Sequence, residues 1–280
     1  MAEPTDYYTS RYSGEEIDTL LDEVKNGGGG GGGVRPNLLD NWDFRTPVNQ
    51  RGVSGQISSH GYFIDRWKLV SGTAEITSAG LVLNGTISQI LPEKIGPVHS
   101  SVALTANKLL TCSYDDASKT FTISGSGETI IAAKLEIGEN QTLAEQTTDG
   151  AGDMLQQIGA DYGTRLIACQ RYLYSPYYGA FPTAPIGTVF PSNDGTGFVN
   201  VTIPVLMRAK PVFSGDPSTL WLVKSNGGGA QKPSALSVMG MSGCGVFMSV
   251  SASFGSDGAQ YILYSEGVSN PSDFLLSAEL

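Results

Sequence analysis

Side chains that could carry acid–base or metal chemistry are few in this sequence and lie far apart. Two histidines, His60 and His99, occur outside any HExxH or CxxC arrangement, so no zinc site built from histidine and cysteine is predicted. Ser242 stands in a Gly-Met-Ser-Gly-Cys stretch that lacks the final glycine of a hydrolase nucleophile elbow, and nothing indicates a Ser-His-Asp triad. We therefore expect no catalytic residue, no metal site, no cofactor and no enzymatic activity.

The carboxylates are also poorly arranged for catalysis. Asp115 and Asp116 are adjacent in what we interpret as a hairpin turn, whereas a glycosidase needs two carboxylates that face each other roughly 5–10 Å apart across a cleft. Asp40, Asp43 and Asp65 supply the hard oxygen ligands that calcium prefers, but their spacing does not match an EF-hand loop. A calcium site among these three residues stays open at the level of sequence.

Aromatic side chains form a more informative pattern, because they crowd into two stretches of the chain. The first stretch holds Trp42, Phe44, Tyr62, Phe63 and Trp67, and the second holds Tyr172, Tyr174, Tyr177 and Tyr178. A flat ring packs well against the C–H face of a sugar. The glycan contacts that we predict on this basis are Tyr172, Tyr174, Tyr177, Tyr178, Trp42 and Tyr62. In the alternative interpretation, Phe63 and Trp67 belong to the core and the tyrosines line a subunit interface.

The composition excludes several classes of protein. The 280 residues include 17 Lys+Arg and 27 Asp+Glu, a net charge of -10 without a basic cluster, which argues against nucleic-acid binding. No run of 18 apolar residues predicts a membrane span, and the acidic residues 1–6 do not resemble a secretory signal. Low charge (16%) and 36 glycines favour a turn-rich β protein. We expect the three cysteines, which are far apart, to be buried apolar residues without disulfides.

An amphipathic helix is predicted near the N-terminus. Ser13 and Glu16 form a capping box, and an apolar stripe with helical spacing follows it. The stripe consists of Ile17, Leu20, Leu21 and Val24. A run of glycines at 27–33 then forms a flexible tether, which argues against a fixed docking geometry on the rest of the chain. The stripe therefore predicts oligomerisation, with docking on another protein or on the body of the chain as the alternatives.

Beyond the tether, short segments with period-two alternation are separated by turn residues, as is typical of a sandwich or barrel. The predicted strands include a hairpin around residues 115–119, a central strand at 129–137 and six strands after residue 197. Leu155, Ile158, Tyr162, Leu166 and Cys169 have helical spacing between the two β regions. The predicted organisation is a helix (1–26), a Gly-rich linker (27–36), a β-sandwich (37–140), a partly helical connector (141–171) and a C-terminal β region (172–280), which is either part of the same sandwich or a second one.

Seven blocks of sequence carry a family resemblance. They are YSGEEID at 12–18, RPNLLDNWDF at 35–44, PVNQRG at 47–52, GYFIDRW at 61–67, AKLEIG at 133–138, LIACQRY at 166–172 and IPVLMRAKP at 203–211. Together they resemble a recurrent domain of tail-fibre, baseplate-type and related appendage proteins of phages and prophages of gut bacteria. The stretch 141–163 is longer than the short connection usual in that family.

The resemblance implies an all-β, jelly-roll-type β-sandwich like that of carbohydrate-binding modules, usually in a homotrimer, without assigned catalytic residues. Within the resembling block we expect Arg51 and Arg66 to pair with Asp40, Asp43 and Asp65 and to lock a corner of the sandwich above Trp67. These residues, together with Asn49 and Gln50, would then form the framework of the domain.

The resemblance leads to a hypothesis about function. The chain would be a non-enzymatic virion protein, made in the cytoplasm of the bacterial host, that attaches to the host cell surface by binding glycans. Its expected partners are itself as a homotrimer, other virion proteins through the N-terminal helix, and a host-surface glycan, with no nucleic acid and no membrane insertion. The alternatives are a purely structural head-fibre, baseplate or decoration protein and a polysaccharide-degrading tail enzyme.

Overall fold

The computed structural model describes residues 35–105, 108–139, 162–176, 185–192, 195–255, 258–265 and 273–279. In these ranges the protein is mostly β, with several antiparallel sheets, which confirms the predicted all-β, sandwich-like fold. The predicted N-terminal helix, its stripe and the glycine tether lie outside the described residues. Within the described ranges, no helix is both long and apolar enough to cross a membrane.

Eighteen strands and one α-helix are described, together with a short 3-10 turn at Pro217–Thr219. The strands are β1 (Gln56–Ile57), β2 (Gly61–Ile64), β3 (Trp67–Thr77), β4 (Gly80–Ile90), β5 (His99–Thr105), β6 (Leu109–Thr111), β7 (Ser113–Asp115), β8 (Thr120–Ile137), β9 (Leu173–Tyr174), β10 (Pro185–Pro191), β11 (Thr196–Thr202), β12 (Val212–Ser214), β13 (Leu220–Lys224), β14 (Ala230–Gln231), β15 (Ala235–Ser242), β16 (Gly245–Ser251), β17 (Tyr261–Ser265) and β18 (Leu275–Ser277). The helix α1 spans Tyr162–Gln170 and confirms the part of the predicted helical connector that is described.

The N-terminal β region, residues 35–139, is one eight-stranded sheet with the order β1-β3-β4-β8-β5-β6, to which β2 and β7 are added. The long strand β8 is central, as predicted, because its first part pairs with β4 and β7 and its last part with β5. The predicted hairpin is confirmed by β7 and β8, whose last pair is Asp115 with Thr120.

A cluster of aromatic rings fills the core of this region. Trp67 is fully buried, with its ring centroid 5.1 Å from that of Phe44 and 6.1 Å from that of Phe121. Its indole nitrogen donates a hydrogen bond of 2.9 Å to the carbonyl oxygen of Asn41, so its polar atom is paired inside the core. Phe63 is buried in the same cluster. The interpretation of Phe63 and Trp67 as core residues is confirmed.

Two glycines allow the long strands β3 and β4 to approach closely. Gly72 and Gly85 face each other across the pair with φ values of +78° and +144°. A Cβ atom on either residue would overlap a backbone oxygen of the opposite strand, that of Asn84 or of Ser71. Register shifts occur nearby in the β3–β4 and β4–β8 ladders. Such irregularities bend a sheet, and only glycine fits at this point.

The C-terminal β region, residues 172–279, consists of two sheets that share one core. A seven-stranded sheet has the order β14-β13-β17-β10-β11-β16-β15, and a three-stranded sheet has the order β12-β18-β9. Residues of the larger sheet, such as Leu222 and Val250, lie in one buried cluster with Phe274 and Leu276 beside and within β18. The six strands predicted after residue 197 are all present, as β11, β13, β15, β16, β17 and β18.

Candidate functional site

Gln50 joins the two β regions with a single side-chain amide. Its Nε2 donates to Oδ2 of Asp65 and to the carbonyl oxygen of Leu173, both at 2.7 Å, and its Oε1 accepts a hydrogen bond of 3.3 Å from the backbone N–H of Ser175. Asp65 lies in the N-terminal region, whereas Leu173 on β9 and Ser175 just after it belong to the C-terminal region. We call this contact zone the junction; its central residues are Gln50, Asp65, Arg66, Tyr172 and Glu279.

Arg66 is the second link at the junction, and its side chain is fully buried. Its Nε donates to Oδ2 of Asp40 and its Nη1 to Oε2 of Glu279, both at 3.0 Å, while its Nη2 donates to the carbonyl oxygen of Ile90 at 2.6 Å. Its φ of +71° lies in the left-handed region, which is strained for arginine. The guanidinium therefore has a carboxylate from each β region, and its position is maintained at the cost of backbone strain.

The predicted pairing of arginines with aspartates is confirmed only for Arg66 with Asp40. The predictions for Asp43 and Asp65 were wrong, because Asp43 pairs with Arg45 at 3.3 Å and Asp65 accepts hydrogen bonds from Gln50. The prediction for Arg51 was wrong as well, because its carboxylate partner is Glu279, at 3.4 Å. The predicted calcium ligands thus have three different sets of partners. Among the described residues, no group of three or more histidine, cysteine or acidic side chains is placed to hold a metal ion.

Two of the predicted glycan contacts, Tyr172 and Tyr62, each have an arginine over one ring face. The guanidinium of Arg66 lies 3.5 Å from the ring centroid of Tyr172, which is buried. Arg51 lies 5.2 Å from the centroid of Tyr62. These cation–π contacts take up ring faces that a sugar would need, so for Tyr62 and Tyr172 the placement fits the interpretation in which the aromatic residues are structural.

The other predicted contacts are distributed differently. Trp42 is buried in the N-terminal core, with the guanidinium of Arg165, from α1, 5.7 Å from its centroid. Tyr174 is half-buried against the C-terminal core. Tyr177 and Tyr178 lie outside the described residues.

Burial raises the pKa values of Asp65 and Cys169 near the junction. Loss of solvent raises the pKa of Asp65 to about 7, although hydrogen bonds from Gln50 favour the ionised carboxylate. Burial likewise raises the pKa of the Cys169 thiol well above its usual value. Cys112 and Cys169 are buried and free, as predicted, whereas the expectation of burial was wrong for Cys244, which is exposed. A protonated, enclosed thiol is a poor nucleophile, so Cys169 acts here as an apolar side chain.

An exposed aromatic surface, which the sequence analysis missed, lies on the outer face of the seven-stranded sheet. Phe190 and Phe198 are paired across β10 and β11, and the rings of Phe198 and Phe247 stack with centroids 5.5 Å apart and planes 15° from parallel. Phe190 is 53% exposed and Phe247 is 42% exposed. We call these three residues the phenyl face; it crosses three neighbouring strands.

Hydroxyl and amide groups surround the phenyl face. Asn200 is paired with Phe247 across β11 and β16, and Ser249 is paired with Phe198. The next residue along this row is Ser237 on β15, whose Oγ lies 2.7 Å from that of Ser249. The face therefore combines flat apolar rings with neutral hydrogen-bonding groups.

The signal in the sequence for this face was the alternation of apolar core residues and outward-pointing residues along β10, β11 and β16. Val189, Val199 and Met248 are buried in the core, so the residues next to them in sequence must point outwards. The strand β10 escaped prediction because Pro185, Gly187 and Pro191 are typical of turns. Without β10, the proximity of Phe190 to the other two rings could not be inferred.

Comparison with protein-family models, with curated proteins and with solved structures finds no match for this chain.

The buried pair at the junction predicts a large effect on stability. Glu279→Gln removes the negative charge that compensates Arg66, so we expect the free energy of unfolding to fall by about 3–5 kcal/mol. Urea denaturation followed by fluorescence measures this change.

The control for this prediction is a pair on the surface. Lys108 contacts Glu128 at 2.9 Å with 54% of its side chain exposed, so Lys108→Met should leave the midpoint of denaturation nearly unchanged. A midpoint for Glu279→Gln that moves as little as that of Lys108→Met would contradict the role given to the junction.

The raised pKa of Asp65 predicts a specific pH dependence. The folded protein holds this proton up to about pH 7, whereas the unfolded chain releases it near pH 4, so the contribution of Asp65 to stability falls as the pH rises between these values. Asp65→Asn removes the titration. The stability of the wild type relative to the variant should therefore decrease by up to about 1.4 kcal/mol per pH unit between pH 4 and 7 and stay level above pH 7.

Urea denaturation at a series of pH values tests this prediction, with Asp115→Asn as the control. Hydrogen bonds from Ser118 and Ala117 lower the pKa of Asp115, so in the folded protein this carboxyl titrates below the range from pH 4 to 7. A difference between wild type and Asp65→Asn that is constant from pH 4 to 7 would refute the raised pKa.

Proposed function

We propose that the chain is a non-enzymatic appendage protein of a phage virion that attaches to the host cell surface by binding glycans through the phenyl face. The resemblance of the blocks between residues 12 and 211 to phage appendage proteins supports the virion location. The all-β, sandwich-like architecture is compatible with a carbohydrate-binding module.

The phenyl face is the observation that carries this proposal. Contiguous exposed rings are less common on protein surfaces than single apolar residues, and such clusters often mark binding sites. Phe190 and Phe247 are exposed, with one face of Phe247 stacked on Phe198, and Asn200 and Ser249 beside them can bond to sugar hydroxyls. The strands beneath the face are packed on the core, so the backbone that carries the rings is in place before a ligand arrives, which reduces the entropic cost of binding.

Trimerisation through the N-terminal stripe is part of the proposal. A single exposed sugar site is weak, and linking several copies raises the overall affinity without any new contact. The glycine tether would give each copy the reach to engage a separate glycan.

Serine substitutions on the phenyl face test glycan binding. We expect Phe190→Ser and Phe247→Ser each to weaken binding to immobilised lipopolysaccharide or capsular polysaccharide of enteric bacteria roughly three- to tenfold per site, because a ring contact contributes about 0.5–1.5 kcal/mol. Surface plasmon resonance with a panel of these polysaccharides measures the change.

Ile137→Ser is the matched control, because Ile137 is 56% exposed on β8 in the other β region. It should leave binding unchanged. If neither phenylalanine variant loses binding, or if the wild type binds no polysaccharide of the panel, the proposed function fails. Unchanged binding together with a lower solution mass would instead identify the face as an interface between copies.

Light scattering tests trimerisation. The full chain should have a mass near three times 29.5 kDa. Leu20→Asp places a charge in the apolar stripe and should reduce the mass to that of a monomer, whereas Asp18→Asn on the polar side should not. A monomeric wild type, or a trimer that survives Leu20→Asp, would contradict the assignment of the stripe.

A further inference from the structure

Asparagine followed by glycine occurs at three places in the chain: Asn26-Gly27, which lies outside the described residues, Asn84-Gly85 and Asn226-Gly227. Asparagine is thermolabile, and this dipeptide is the most susceptible to loss of the side-chain amide. The backbone nitrogen that follows the asparagine can attack its amide carbon Cγ, and glycine has no Cβ to obstruct the approach. Asn84 and Asn226 both have exposed side chains, so access to water does not distinguish them and the backbone must.

The backbone at Asn84 is fixed on both sides. Strand β4 lies between β3 and β8, and Asn84 is paired with Thr73 on one side and with Ser126 on the other. A Cβ atom at Gly85 would overlap the backbone oxygen of Ser71, so the peptide that would attack is closely enclosed. Bringing the Gly85 nitrogen to Cγ requires a rotation that takes this peptide out of the sheet, and the hydrogen bonds of the two ladders oppose that rotation.

Asn226 lies instead in the glycine-rich turn between β13 and β14, where residues 225–229 are all exposed. A Cβ atom at Gly227 would have no atom of the described part of the chain within 4 Å. The N–H of Gly227 donates a hydrogen bond of 3.1 Å to the carbonyl oxygen of Lys224, which is an ordinary turn bond that water can replace. The peptide that would attack is therefore unobstructed, and its rotation costs little.

The turn also provides a hydrogen-bond donor at the atom where negative charge would develop. The backbone N–H of Gly228 donates a hydrogen bond of 3.1 Å to Oδ1 of Asn226. Attack on Cγ converts Oδ1 into an oxyanion, and a charged acceptor gains more from this donor than the neutral amide does. The same bond holds the side chain against the backbone that follows it, as in an Asx turn.

We propose that Asn226 is a site of spontaneous deamidation, assisted by this turn. In the first step the Gly227 nitrogen forms a bond to Cγ, the bond between Cγ and Nδ2 breaks, and Nδ2 leaves as ammonia with the hydrogen of the Gly227 N–H. The resulting succinimide then reacts with water, which adds at either ring carbonyl and opens the ring to aspartate or isoaspartate. One water is consumed and one ammonia is released, with no change in oxidation state. The turn gains a negative charge, and this inference does not depend on the proposed function.

Incubation of the folded, full-length protein in mildly alkaline buffer, followed by peptide mapping with tandem mass spectrometry, tests the proposal. Asn84 is the internal control, because it belongs to the same dipeptide and has an exposed side chain in the same molecule. We expect Asn226 to deamidate at least about tenfold faster than Asn84 in the folded protein. In guanidinium chloride the two rates should become similar, because neither the ladders nor the turn then exists. Asn226→Gln should remove the modification from this turn, since its longer side chain would have to close a larger ring.

Equal rates at Asn84 and Asn226 in the folded protein would overturn the inference. So would a rate ratio that guanidinium chloride leaves unchanged, because the neighbouring sequence and not the fold would then cause the difference. A folded protein in which Asn226 stays intact while the denatured chain deamidates there would also overturn it, because the turn would then protect the amide. A modification of this turn that persists in Asn226→Gln would place the reaction on another residue, which likewise contradicts the proposal.

Discussion

The arrangement of the two β regions depends on a guanidinium that has no contact with solvent, that of Arg66. A charge in a protein interior is tolerated only when opposite charges and hydrogen bonds compensate for its lost hydration. Asp40 supplies one carboxylate from the N-terminal region, and Glu279 supplies the other from the end of the C-terminal region. Because neither region contains both carboxylates, Arg66 is fully compensated only when the regions are docked in this orientation.

The remaining contacts of the junction extend this constraint. Gln50 uses both amide hydrogens and its oxygen to connect Asp65 with the backbone at Leu173 and Ser175, and a shifted docking would leave these groups buried and unpaired. Buried ionic networks often contribute little net stability compared with apolar packing, but they penalise incorrect arrangements heavily. The junction therefore defines the geometry between the sheets more than it adds to their stability.

The sequence was informative where a local pattern was sufficient and uninformative where distant residues meet. Alternation and turn residues predicted the hairpin at β7 and β8, the central strand β8 and most strands of the C-terminal region. The corner formed by Arg66 and Asp40 was also predicted, because the two residues lie only 26 positions apart, in neighbouring blocks of the family resemblance. Glu279 lies 213 positions from Arg66, and no periodicity or motif indicates a contact over that separation. The phenyl face was missed for a related reason, since it needs the register of three strands, one of which begins and ends with proline.

Aromatic residues in this protein occupy two kinds of environment, and the position of the cations distinguishes them. Tyr172 and Tyr62 each have a guanidinium group against one face, so each ring presents a flat π surface to a buried or half-buried charge. Phe190 and Phe247 alternate along their strands with core residues, so their side chains lie on the solvent side of the sheet. A cluster of aromatic residues in the sequence does not distinguish rings that a cation covers from rings on the solvent side of a sheet, because the arginines reach the rings only through the tertiary fold. The alternation of a strand can separate them, since a ring that lies between two core positions has to point outwards.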